Sequence, residues 1–236
     1  MLKKIQSWSV HLFTALGALA GFLSLEAVFA NNILMSFLWL AVAFLIDGID
    51  GAFARKVNVK ENLPQIDGST LDNVVDYLNY VFIPASIIYW FDLVAPEFKL
   101  FTVTLILVAS CYTFSNVNLK TKDNFFNGFP ALWNLVVFYL YILESSKQVN
   151  LLLIVFFLVM TFVPVKYVHP LRVNKWRKLT ILMTFIWSVD CVFLLIELAD
   201  PKNQFVSYKV LYFWTWIFTT VYFLYLSVIR SITSKY

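Results

Sequence analysis

Long apolar runs joined by short polar connections make up almost the whole chain. Eight runs are long enough to span a bilayer, at about 9–29, 33–54, 70–93, 99–119, 129–146, 149–166, 177–198 and 206–229. A helix crossing hydrocarbon takes about 20 mostly apolar residues, so the pattern predicts a polytopic, all-α membrane bundle of about eight transmembrane helices. No repeat or low-complexity tract interrupts it. One integral-membrane domain over residues 1–236 is the expected organisation, with no room for a separate soluble domain. The first run follows Lys3 and Lys4 and ends Val28-Phe29-Ala30, the outline of a cleavable leader. Its length favours a retained spanning helix.

Composition agrees. Of 236 residues, 61% are hydrophobic and only 14% charged, with 24 Phe, 12 Tyr and 8 Trp. A soluble domain could not cover that much apolar surface with so few charges. The two cysteines, Cys111 and Cys191, sit inside apolar runs and form no CxxC pair or disulfide framework. Gly17 and Gly21 form a GxxxG pair, read as close helix packing.

The net charge of +4 is modest, and no segment carries the basic patch that nucleic-acid binding needs. The distribution of the basic residues carries more information than their sum. The N-terminus, the connections after runs two, four and six, and the C-terminus carry Lys3, Lys4, Arg55, Lys56, Lys60, Lys120, Lys122, Lys166, Arg172, Lys175, Arg177, Lys178, Arg230 and Lys235. The opposite connections carry Lys99, Lys147, Lys202 and Lys209, a ratio of 14 to 4. The positive-inside rule then places both termini on the cytoplasmic side.

Candidate chemistry gathers at one end of the second and third runs. The second ends Asp47-Gly-Ile-Asp50-Gly51-Ala-Phe-Ala54-Arg55, and the third begins Gly68-Ser-Thr-Leu-Asp72-Asn-Val-Val-Asp76-Tyr77. On helices, a spacing of three sets Asp47 and Asp50 about 60° apart, and a spacing of four sets Asp72 and Asp76 about 40° apart. Each pair therefore shares a face, and the short connection brings the two faces together. Clustered carboxylates beside hydrocarbon are costly unless something neutralises them. Oxygen donors suit hard divalent cations such as Mg²⁺ or Mn²⁺, which keep positions open for phosphates. Gly48, Gly51, Ala52 and Ala54 leave little side chain to obstruct a nucleotide, and Arg55 offers a fixed cation near phosphates. An ion transporter also carries intramembrane acids, but along a path rather than gathered at one face.

The motif Asp-x2-Asp-Gly-x2-Ala-Arg…Gly-x3-Asp-x3-Asp resembles the signature of the CDP-alcohol phosphotransferases, matched here at Asp47, Asp50, Gly51, Ala54, Arg55, Gly68, Asp72 and Asp76. The spacer of 12 residues between Arg55 and Gly68 is longer than the family's usual one. With eight helices and the flanking His11-Leu-Phe-Thr14, Tyr80-Val-Phe-Ile-Pro84, Asn127-Gly-Phe-Pro130…Trp133-Asn134 and Val168-His169-Pro-Leu-Arg172, it is similar to the bacterial branch whose acceptor is choline. The resemblance implies a CDP-alcohol phosphotransferase fold in the bacterial inner membrane, commonly a homodimer, with its active site cytoplasmic. CDP-diacylglycerol and choline would give phosphatidylcholine and CMP. Asp47, Asp50 and Asp72 would hold two divalent metals, with Asp76 close enough to contact one; Gly51, Ala54, Arg55 and Gly68 would line the CDP site. Asp76 would be the general base on the acceptor hydroxyl.

A quaternary ammonium has no N–H to donate, so aromatic faces and carboxylates are its usual partners. Tyr77, Tyr80, Trp133 and Asn134 are the candidates for choline. Arg172 is the candidate for the phosphate of the donor lipid, whereas the neighbouring Lys175, Arg177 and Lys178 read as a headgroup anchor. No Lys or Arg falls in the body of the spans, which favours a cationic acceptor over serine, inositol or glycerol phosphate.

Overall fold

The computed structural model describes residues 1–121, 124–170, 172–173, 176–199 and 209–233. Lys122, Lys175, Lys202 and Lys235 of the basic-residue count lie outside them. Helices occupy all eight predicted runs: α1 Leu2–Phe29 and α2 Ile33–Val57, the short α3 Val59–Asn62, α4 Gly68–Tyr77, a π-turn Leu78–Phe82 and α5 Ile83–Trp90, then α6 Pro96–Ser115, α7 Trp133–Ile142, α8 Lys147–Phe162, α9 Arg177–Ala199 and α10 Lys209–Ile232.

Among the described residues, five helices (α1, α2, α6, α9 and α10) are long and apolar enough to cross a membrane. The third predicted run is helical to Trp90 but broken by the π-turn, and the fifth and sixth form shorter helices. For the fifth, the cause is local. Pro130 fixes its φ and lacks an N–H donor, and Ala131 sits in the left-handed region at φ 56°. Helix α7 therefore begins only at Trp133. Large apolar side chains stand exposed along these helices, as at Leu12, Phe22, Leu152, Phe185 and Phe218. On a water-facing surface such exposure would be a liability; against lipid tails it is expected, and the helices fit a multi-pass membrane protein.

The helices fall into two compact units, residues 1–114 with 131–154, and residues 115–130 with 155–236. In the first, α1 packs along α2 and also meets α4, the π-turn and α5, while α7 meets α5 and the π-turn. Its fully buried side chains include Leu63, Val81, Ile83, Ile87, Trp133 and Val137. Several polar groups inside it pair across helices. Ser24 Oγ meets Ser36 Oγ at 2.8 Å and donates to the Ser36 carbonyl at 2.9 Å, joining α1 to α2. Trp133 donates its indole N–H to Ser110 Oγ at 2.9 Å, joining α7 to α6.

The second unit holds α9 against α10, with Trp216 fully buried. It also contains the one departure from an all-helical chain among the described residues: β1 Phe125–Asn127 pairs antiparallel with β2 Lys166–Val168, Phe126 opposite Tyr167. Aromatic and β-branched residues favour that pairing. Gly128 follows at φ 87°, where an added Cβ would lie 2.6 Å from the Thr161 carbonyl oxygen, so only glycine fits.

Candidate active site

Local signals place the acids. Asn32 caps α2, its side chain accepting from the Met35 N–H at 3.1 Å, and Asn58 ends it in the left-handed conformation at φ 54°, a common C-terminal arrangement. Asp67 caps α4. It accepts from the Ser69 N–H at 3.0 Å and from Thr70 Oγ1 at 2.9 Å. These bonds, Thr70's foremost, hold its carboxyl below the usual range, so Asp67 serves the helix end as an anion. The caps fix where α2 stops and α4 starts, and hence which faces carry Asp47, Asp50, Asp72 and Asp76.

Those faces meet. One oxygen from each of Asp47, Asp50 and Asp72 lies within 4.8 Å of the others. With Asp76, Thr14, Asn79 and Tyr80 they line a cavity floored by Ala43, Ile46 and Val75. Asp50 is buried, at 5% exposed, and accepts from Thr14 Oγ1 at 2.7 Å. Asp47 accepts from the Tyr80 hydroxyl at 2.5 Å. Asp47, Asp72 and Asp76 are half-buried. None of the described residues lining the cavity is Lys or Arg. Oxygen-only donors and partial burial fit hard divalent cations.

Gly51 and Ala54 are half-buried on the same helix as Asp50, and Arg55 is exposed at its end. Gly68 abuts the first helix, where a Cβ would meet His11 Cε1 at 3.3 Å. His11 itself is 6% exposed, and its Nε2 has no hydrogen-bond partner.

Of the four residues expected to meet choline, only Tyr80 lines the acidic cavity. Tyr77 donates to the Leu107 carbonyl at 2.9 Å and packs edge-on to Phe114. Trp133 is fully buried against Ser110, and Asn134 is buried beside it on α7. Arg172 belongs to the second unit. There, burial first, then the charges of Arg172 and Lys120, push the His169 imidazole down to about 4, so it is neutral at ordinary pH. His169 stacks on Phe126 at 5.2 Å.

Two contacts in this site are not readable from the motif: Thr14 on Asp50 and Tyr80 on Asp47. The only advance sign of either is a hydroxyl placed within an apolar run, and such side chains generally need a partner there.

The family model for CDP-alcohol phosphatidyltransferase matches residues 10–163, a stretch containing the whole acidic cavity. The chain belongs to this family. It is therefore a member of a metal-dependent phosphotransferase family, and Asp47, Asp50 and Asp72 are the cluster able to bind a metal. It is also similar to proteins named phosphatidylcholine synthase. The one from Pseudomonas aeruginosa is 43% identical over 83% of this chain and 82% of its own length. That from Rhizobium johnstonii is 36% identical over 88% and 86%. That from Legionella pneumophila is 37% identical over 92% and 88%.

Proposed function

We propose that this enzyme is a phosphatidylcholine synthase, condensing CDP-diacylglycerol with choline to give phosphatidylcholine and CMP. The observation that carries this is the cavity in which three carboxylates converge beside a fourth, Asp76, on a chain similar over most of its length to phosphatidylcholine synthases.

Asp47, Asp50 and Asp72 would hold two Mg²⁺ or Mn²⁺ ions, with Asp76 close enough to contact one. When bound, the metal screens the charge of the diphosphate and of the departing CMP. Gly51 and Ala54 present a helix surface with almost no side chain, so the nucleotide comes close to the backbone. Arg55 supplies a fixed positive charge to the phosphates, and Gly68 leaves space where α4 begins. Asp76 takes the choline hydroxyl proton as that oxygen bonds to the phosphorus bearing diacylglycerol. The bond from that phosphorus to the bridging oxygen breaks, and CMP departs with the electron pair. Choline brings its own positive charge to an acidic cavity, so the wall attracts it without a basic residue. An anionic acceptor such as glycerol phosphate would need a basic partner, and none of the described residues lining the wall is Lys or Arg.

An acceptor panel with purified protein and CDP-diacylglycerol tests the assignment. Choline is expected to be used at least about 100-fold better than serine, inositol or glycerol phosphate. Phosphatidylserine as the main product would defeat it.

The 14-to-4 distribution of basic residues supports a cytoplasmic active site and termini in the inner membrane. A cysteine placed at Gln65 is expected to react with an impermeant thiol reagent only once the cytoplasmic side is opened. Labelling of intact cells would reverse the orientation.

A further inference from the structure

Among the described residues, the acidic cavity has one aromatic on its wall, and its hydroxyl is already engaged. Tyr80 is 5% exposed and rests edge-on to Phe44 with ring centroids 6.2 Å apart. Its O–H donates to Asp47 Oδ2 at 2.5 Å. A neutral donor suits this position. It orients a carboxylate without cancelling its charge, whereas Lys or Arg in its place would compete with a cation for the same oxygens. A carboxylate has about four lone-pair sites, so one bond from a phenol leaves it capable of ligating.

The backbone takes an unusual path to put Tyr80 there. Four α-helical residues advance the face by about 40°, so an uninterrupted helix would carry Tyr80 about 80° around from Asp72. The π-turn Leu78–Phe82 adds a residue to that turn and draws the face back. Tyr80 thereby joins Asp72 and Asp76 on one cavity.

The turn is braced from α1. Asn79, 3% exposed, donates through Nδ2 to the Gly17 and Val75 carbonyls, at 3.0 Å each. Only glycines on α1 permit this approach. A Cβ at Gly17 would lie 2.6 Å from Val75 Cγ1, and one at Gly21 would lie 2.5 Å from Asn79 Oδ1.

We infer that Tyr80 is a positioning residue for the metal ligand Asp47, its hydroxyl fixing the carboxylate, and that the Gly17–Gly21 face and Asn79 hold the π-turn that aims it. The inference rests on the metal reading of the three-carboxylate cluster. Partners that orient a metal ligand typically contribute 10–100-fold in affinity.

Tyr80→Phe removes the hydroxyl and keeps the ring, so it separates positioning from any aromatic contact with the acceptor. The full-length protein in lipid nanodiscs is titrated with Mn²⁺ alone, and free Mn²⁺ is read by electron paramagnetic resonance. The expected result is a dissociation constant raised about 10–100-fold. The metal-free unfolding temperature should stay at the wild-type value, and so should the choline KM at saturating Mn²⁺. Asp50→Asn runs beside it and is expected to lose Mn²⁺ binding. Wild-type Mn²⁺ affinity in Tyr80→Phe, with binding lost in Asp50→Asn, overturns the positioning role alone. A raised choline KM with unchanged Mn²⁺ affinity also overturns it, in favour of an acceptor contact. Undiminished binding in Asp50→Asn removes the metal reading, and the inference with it.

Discussion

Chelation with EDTA, or Asp50→Asn, is expected to abolish phosphatidyl transfer without unfolding the protein. Asp50 is the most buried of the four acids, and it sits in the cluster whose oxygens approach within 4.8 Å. Removing its charge takes away one of the few groups able to hold a cation against the diphosphate. Losses of about 10²–10³-fold accompany removal of a single group that stabilises developing charge, and loss of a metal ligand should reach at least that. The fold has reason to survive. The substituted amide still offers an oxygen to Thr14 Oγ1, and one fewer negative charge relieves repulsion within the cluster. Turnover of CDP-diacylglycerol is the readout, with thermal unfolding measured in parallel. Full activity in EDTA would rule out the metal reading.

The second large effect is expected at Asp76. It lines the same cavity as the other three acids but is not one of the three whose oxygens converge. A base acts on the acceptor and not on the donor. Asp76→Asn should therefore lose about 10²–10⁴-fold in kcat, the range for removing a general base, while still binding CDP-diacylglycerol in the presence of metal. Equilibrium binding of a labelled donor analogue, compared with single-turnover rates, separates the two. Loss of donor binding in parallel with turnover would make Asp76 a donor or metal ligand instead of the base.

The sequence by itself determined the membrane class, the positions of the five helices long and apolar enough to span among the described residues, and the acid motif. Each is a one-dimensional property: apolar length sets a span, and helical spacing of three or four sets a shared face. The pairs Asp47–Asp50 and Asp72–Asp76 were legible for that reason, and so was the tight packing implied by Gly17 and Gly21. The long helices were legible in the same way, whereas α7 is shorter than its apolar run because Pro130 and the left-handed Ala131 set where it starts.

Tertiary structure alone decided which hydroxyls serve the acids. Thr14 and Asp50 are 36 residues apart, and Tyr80 and Asp47 are 33 apart; only the packing of α1, α2 and the segment beginning at α4 brings them within a hydrogen bond. The π-turn was equally hidden, since no periodicity marks one extra residue in a turn. It persists because Asn79 finds the Gly17 carbonyl across the helix contact. Tyr80 shows the difference most clearly. Beside the motif it read as an aromatic face for an ammonium, and the three-dimensional contact adds a second use, a hydroxyl set on a carboxylate. A side chain's chemistry is fixed by its type, but which end of it is used depends on what the fold places against it.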